Sequence, residues 1–173
     1  MLKPTRLVIA DRDGRFVGVA YGAGVLANTV PHPTRSDVIR DLQASKVDAV
    51  GVVGARDPVA DVIFDLWAGR EVQSKASEME LDFSGLTEKT RKVLKAVRKI
   101  PAGQTLSYSE VASQVGFNRA TRFVGNVMAA NRFPLVVPCH RVVKADGSVG
   151  GYAYGSETKA EVLRREGCQN VKV

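Results

Sequence analysis

Leu135-Val136-Val137-Pro138-Cys139-His140-Arg141-Val142-Val143 sets a thiol beside an imidazole in an apolar run interrupted by a proline. The four valines predict a buried strand or near-strand. That reading leaves the polar trio unexplained. A nearby His or Arg favours the thiolate, the reactive form of cysteine, over a free-thiol pKa of about 8.5. Free cysteine is also among the most buried residue types. The pair therefore reads either as a structural cysteine with a hydrogen-bonded histidine or as a nucleophile with its base.

Outward from this stretch, the preceding 50 residues read as helices. Thr87 caps a helix from Glu88 to about Lys99, with Val93, Leu94, Val97 and Ile100 inward, and Pro101-Ala102-Gly103 stops it. Ser107 to Glu110 has the form of a capping box, opening a short helix that ends at Gly116. A third helix spans about 119–130. Ala120, Phe123, Val124, Val127 and Met128 recur on one face, and Arg119, Arg122, Gly125, Asn126 and Ala129 lie on the other. Two short helices joined by a glycine-containing turn suggest a helix-turn-helix. The outward face of small residues and arginines would let DNA approach the backbone closely.

After the cysteine, 144–147 is a turn and 148–155 a glycine-rich loop with two tyrosines, without the spacing of a phosphate loop. Ser156 caps a last helix, Glu157 to Glu166, closed by Gly167. Glu166 sits where the helix dipole disfavours a carboxylate. Either Arg164 and Arg165 offset it, or it is there to orient His140.

Before residue 71 the chain reads as a small α/β unit. Residues 5–10 and 16–21 form a hairpin through Asp11-Arg12-Asp13-Gly14, with a third strand at Val25-Leu26-Ala27. Thr34 or Ser36 caps a helix to about Gln43, an apolar strand runs Val47 to Val53, and a helix spans Pro58 to Trp67. Asp57, Asp61 and Asp65 read as a solvated helix face, and His32 as a loop residue between prolines. Residues 71–86 read as a linker, so the expected domains are 1–80 and 81–173.

The chain of 173 residues is 45% hydrophobic, with net charge +7. Residues 1–84 carry net −2 and residues 85–173 net +9. The basic excess thus lies in the half with Cys139, which points to a polyanion such as nucleic acid. No apolar run approaches the roughly 20 residues that cross a bilayer, and Met1-Leu2-Lys3-Pro4 opens no signal peptide. A soluble, cytoplasmic protein is expected. Two cysteines (Cys139, Cys168) and two histidines (His32, His140) argue against a metal site.

Taken together, these residues resemble the O6-alkylguanine-DNA alkyltransferase family (methylated-DNA–protein-cysteine methyltransferases). The likeness rests on Pro138-Cys139-His140-Arg141-Val142. It extends through Thr90-Arg91, Leu106-Ser107-Tyr108, Arg122-Phe123-Val124-Gly125, Asn131, Gly147-Ser148-Val149-Gly150 and Arg165-Glu166-Gly167. The resemblance implies an α/β fold: a small RNase H-like N-terminal domain and a mostly helical, winged-helix-like C-terminal domain. It implies a cofactor-free monomer that acts once on double-stranded DNA. An O6-alkylguanine, and by extension O4-methylthymine, would be flipped from the duplex and its alkyl group moved to Cys139.

In that scheme the helix at 119–130 enters the minor groove and Arg122 fills the vacated stack. His140 takes the Cys139 proton through a water, Glu166 holds the imidazolium, and Asn131 braces the turn. Tyr108 donates to N3 of the guanine. Backbone around Val142 and Ala153 reads the base, and Tyr152 and Tyr154 line its pocket, where the Tyr154 ring would restrict bulky O6 groups. Thr90, Ser109, Arg119 and Arg141 are candidate DNA contacts, with Arg141 alternatively fixing local backbone. The rivals are a lesion-binding protein without chemistry, whose known examples lack the cysteine, and a Cys-His hydrolase.

Overall fold

The computed structural model describes residues 1–49, 56–169 and 171–173. Strand β1 (Arg6–Arg12) pairs antiparallel with β2 (Arg15–Tyr21), and β2 pairs with β3 (Val25–Asn28). Asp13 and Gly14 both take positive φ (53° and 74°), the backbone of a type I′ hairpin turn. Helices α1 (Arg35–Ala44) and α2 (Pro58–Trp67) pack on β2. Thr34 caps α1 through Asp37 N. Val47 makes one parallel bridge to Leu2; the rest of the strand expected over 47–53 falls largely on 50–55, outside the described residues.

The acids on α2 are not a solvated row. Asp57 is buried (1% exposed) and caps Val59 N and Ala60 N, while Tyr21 Oη donates to it at 2.7 Å. Arg12 bridges Asp61 and Asp65 across to the sheet. We predict that Asp57→Ala costs about 2–3 kcal/mol, the sum expected from a lost cap and a stranded hydroxyl. Urea unfolding checks this, and a loss under about 0.5 kcal/mol would contradict it.

The stretch 71–86 is no bare linker. It contains α3 (Gln73–Glu78), and Leu81 bridges Val25 in parallel. Its free carbonyls are held by arginines of the following half. Arg98 donates to Ala76 O and Met79 O, both at 2.6 Å, and Arg132 to Asp82 O and Ser84 O. Asn28 N and Nδ2 reach Arg132 O and Pro134 O. A single apolar core therefore runs from Val17, Val19 and Ile63 through Leu81 to Val93, Val127 and Phe133. These ties also spend charge inside the fold, so net +9 overstates what that half offers a polyanion.

Helix α4 (Glu88–Val97) is capped by Thr87. Strand β4 (Leu106–Ser107) leads into α5 (Tyr108–Gln114) through the full Ser107/Glu110 capping box. Helix α6 (Thr121–Ala129) packs against α5 and α4 and buries Val124, Val127 and Met128. Arg122, Asn126 and Ala129 stay exposed.

The valine-rich stretch is not a strand. Leu135 takes φ 70°, a strained conformation for a bulky side chain. Turn bonds run from Val137 N to Phe133 O and from Cys139 N to Val137 O, and Cys139–Arg141 forms one 3-10 turn. Only Val142–Val143 extend, as β5, parallel to β4. Val136 and Val137 are apolar because the turn is fully buried, which periodicity cannot distinguish from a strand. Helix α7 (Ser156–Arg165) closes the chain, with Gly155 rather than Ser156 at its cap.

Candidate active site

The 3-10 turn is short, so it presents three consecutive side chains in three directions. Cys139 faces a cavity and is 6% exposed. His140 and Arg141 point into the protein, each 1% exposed. Asn131 ties the preceding turn together: its Nδ2 donates to Val137 O (3.0 Å) and to Cys139 Sγ (3.1 Å), and its Oδ1 accepts from Phe133 N. The expected brace is therefore also a direct partner of the sulfur.

Burial pushes the Cys139 thiol up, against the lowering effects of the Asn131 bond and the nearby Lys159 charge. At rest the group is a thiol, not the stabilised thiolate that a neighbouring cation suggests. Its activation needs a base. Burial holds His140 down and outweighs the opposing pull of Glu166, so the imidazole is neutral at pH 7. Nε2 lies 2.9 Å from Glu166 Oε1, and Nδ1 is buried without a partner among the described residues. A neutral ring bonded to a carboxylate carries its proton on Nε2, which leaves Nδ1 as the acceptor.

Glu166 is 3% exposed at its side chain. Burial alone would raise its carboxyl, but bonds from His140 and Arg141, and their charges, bring it down to about 2. Arg141 grips both oxygens, Nε to Oε2 at 2.9 Å and Nη2 to Oε1 at 2.7 Å, while Nη1 reaches Gln73 Oε1 and Ile100 O. The guanidinium is thus the counter-charge of Glu166. Buried as it is, Arg141 is the local brace of the two readings and reaches no phosphate.

The cavity is about 360 Å³, within the range of small-molecule sites. It is lined by Tyr108, Cys139, Tyr152, Ala153 and Gly151, and on α6 by Gly125, Met128 and Ala129. The small outward residues of α6 therefore form its mouth. Burial and the proximity of Cys139 raise the Tyr108 hydroxyl, keeping it a donor.

Two of the expected lining residues lie elsewhere. Val142 is fully buried behind the wall, and its carbonyl accepts from Lys159 Nζ at 2.6 Å. Tyr154 turns its ring away to a neighbouring groove, where its hydroxyl bonds Asp41. The ring cannot narrow the cavity from within. Arg119 in the turn before α6 and Arg122 in its first turn are exposed, as is Ser109 near the start of α5. Thr90 is half-buried with its hydroxyl on Thr87.

Lys159 is a buried charge near the site that the sequence alone did not single out. It is fully buried, sits 5.8 Å from the Tyr108 ring, and burial lowers its pKa to about 8, still charged at pH 7. The signal was available: Lys159, Val162, Leu163 and Glu166 share one helix face at i, i+3, i+4 and i+7. Among the described residues no group of three or more His, Cys, Asp or Glu side chains could hold a metal.

A buried thiol, an imidazole–carboxylate pair and a base-sized cavity beside a helix pair define a cysteine-centred site. Residues 88–168 match the family model described as the DNA-binding domain of 6-O-methylguanine DNA methyltransferase. The chain is 34% identical to the methylated-DNA–protein-cysteine methyltransferase of Methanocaldococcus jannaschii over 87% of each chain. It is 48% identical to that of Methanothermobacter thermautotrophicus over 50% of this chain and 48% of that one. It also matches the Escherichia coli bifunctional transcriptional activator/DNA repair enzyme Ada, at 43% identity over 51% of this chain and 25% of Ada. The matches thus span less than half the length of the latter two relatives.

Among solved structures, the O6-methylguanine-DNA methyltransferase of Pyrococcus kodakaraensis superposes with a TM-score of 0.75 at 27% identity, covering 94% of this chain and 99% of that one. Mycobacterium tuberculosis OGT in complex with DNA superposes at 0.68 and 28%, covering 95% and 92%. The chain belongs to the methylated-DNA–protein-cysteine methyltransferase family.

Proposed function

We propose that the protein repairs duplex DNA by moving the alkyl group of an O6-alkylguanine onto Cys139, once per molecule. The observation that carries this reading is the orphaned Nδ1 of a neutral, carboxylate-held His140 beside a thiol that opens on a cavity. That is the nucleophile–base–orienter arrangement. The proton of Cys139 passes through a water to Nδ1. The sulfur attacks the alkyl carbon, an S–C bond forms, and the C–O6 pair withdraws into the purine. Tyr108 donates at N3, and the proton held on His140 returns through solvent to the leaving guanine. Lys159, close to the sulfur, stabilises the thiolate as it forms. The thioether is not hydrolysed, so the protein is consumed.

A target atom inside the stack must be brought out. In this reading α5 and α6 form a helix-turn-helix, in a winged-helix-like half spanning 81–173, whose second helix lies in the minor groove. Gly125 and Ala129 admit the flipped base, Arg122 takes its place in the stack, and Thr90, Ser109 and Arg119 hold phosphates. The half spanning 1–80, RNase H-like in this reading, buttresses the site. The protein works as a cytoplasmic monomer, with O4-methylthymine as a second substrate. The DNA complex of the M. tuberculosis relative supports the DNA reading, and the hydrogen-bonded setting of Cys139 favours chemistry over lesion binding alone.

Incubation with duplex DNA carrying one O6-methylguanine tests the reading. One methyl per protein on Cys139 is expected by intact and peptide mass spectrometry; binding without a mass change would refute it. Extruding a base costs a few kcal/mol. Arg122→Ala is therefore expected to slow transfer from duplex DNA by about 10–100-fold and to slow transfer from free O6-benzylguanine base far less. Equal losses with both substrates would remove Arg122 from the stack.

A further inference from the structure

The loop between β5 and α7 forms one wall of the alkyl cavity; its base is fixed by turn bonds at 144–149, and its tip by a bond from Gly155 N to Tyr152 O. Gly150 and Gly155 take φ 68° and 90°, and Gly151 lies between them. The Tyr152 hydroxyl has no partner among the described residues. Among the described residues, the one side-chain bond from Tyr152, Ala153 or Tyr154 crosses to the other half of the chain, where Tyr154 Oη donates to Asp41 Oδ2 on α1 at 2.9 Å. His32 Nε2 holds the same oxygen at 3.0 Å, and its ring meets Tyr154 edge-on at 6.0 Å. The His32 and Asp41 side chains are only 17% and 16% exposed. Tyr154 in turn packs on Tyr152 at 5.3 Å, and Tyr152 faces Cys139 across the cavity. His32 is therefore part of a half-buried cluster and not the isolated loop residue its flanking prolines suggest.

Behind this wall lies a second hollow of about 470 Å³, bordered by Asp41, Lys46, Leu86, Arg132 and Tyr154. It shares Ala129 and Ala153 with the alkyl cavity. The loop tip between the two spaces is flanked by glycines and tied to α1 through the Tyr154–Asp41 bond.

We infer that Asp41, supported by His32, is a positioning residue that latches Tyr154 and so sets the size of O6 substituent the site accepts. The inference rests on the alkyl-transfer reading above. With the latch closed, Ala153 and Tyr152 are held at the spacing of a small alkyl group. With it open, the loop tip yields toward the groove behind, and bulky groups gain room while small ones lose their fit. Bonds to a carboxylate are roughly twice as strong as neutral ones, which suits a latch.

Single-turnover alkylation of Cys139 by duplexes carrying O6-methylguanine or O6-benzylguanine tests this. Asp41→Ala and Tyr154→Phe are each expected to raise the benzyl-to-methyl rate ratio by about tenfold, the scale of one hydrogen bond to a charged partner. Asp41→Asn, whose amide oxygen still accepts from Tyr154 through a weaker neutral bond, should move the ratio by less than Asp41→Ala does. The double variant Asp41→Ala/Tyr154→Phe should go no further than either single change. An unmoved ratio in Tyr154→Phe, which leaves α1 intact, overturns the inference, as do effects that multiply in the double variant. A parent protein that takes no alkyl group from either duplex refutes the underlying activity instead.

Discussion

Replacing Cys139 by alanine is expected to abolish alkyl transfer altogether, while the protein still folds and binds DNA. The sulfur is the acceptor, so no other group can make up a partial rate. Cys168 is the other thiol, half-buried and raised by burial and by Glu166. It has no Asn131 or His140 against it, and it borders a different hollow. Mass spectrometry of the variant with O6-methylguanine duplex should show no methyl on any residue. A binding titration should show lesion affinity within a few-fold of the parent. A methylated alanine variant, or guanine freed of methyl at the parent rate, would move the chemistry elsewhere.

Glu166→Gln carries the second large effect, on stability and rate together. The carboxylate faces a fully buried guanidinium and a neutral imidazole. Removing its charge leaves Arg141 uncompensated, a situation that costs about 3–5 kcal/mol. The acid dependence follows from the signs. Glu166 is depressed from an ordinary 4.5 to about 2. Its contribution, about 3 kcal/mol, is complete above pH 4.5 and disappears as pH falls through about 2. His140, lowered from 6.5, is buried neutral, so stability already declines below about pH 6.5 as the unfolded chain takes up its proton. Urea titrations should therefore show the parent weakening from pH 6.5 downward, and the variant losing the part of the slope between 4.5 and 2. Without a firm orienter for the imidazole, transfer should slow by about 100-fold, within the usual range for a positioned base. A variant within about 0.5 kcal/mol of the parent at pH 7 would rule out the charge network drawn here.

Local chemistry made much of the fold legible in advance. Hairpin chemistry at Asp13-Gly14, the capping box at Ser107/Glu110 and the apolar periods of α2, α4 and α6 involve neighbours a few residues apart, and all lie where those patterns put them. The run 135–143 misled because burial from all sides writes the same valines into a turn as into a strand. Residues 71–86 misled because their polar character reflects carbonyls and side chains taken up by Arg98, Arg132 and Arg141, which lie far along the chain.

What the sequence determined by itself was the family and the core pair Cys139–His140, because adjacent residues with distinctive chemistry need no fold to be recognised. Only the tertiary structure decided which states those groups occupy. Burial keeps the thiol protonated and the imidazole neutral, and desolvation is a property of the packed interior, not of neighbouring letters. It likewise brought Lys159 beneath Tyr108, turned Arg141 inward and carried Tyr154 to Asp41, since such contacts join residues separated by up to 113 positions.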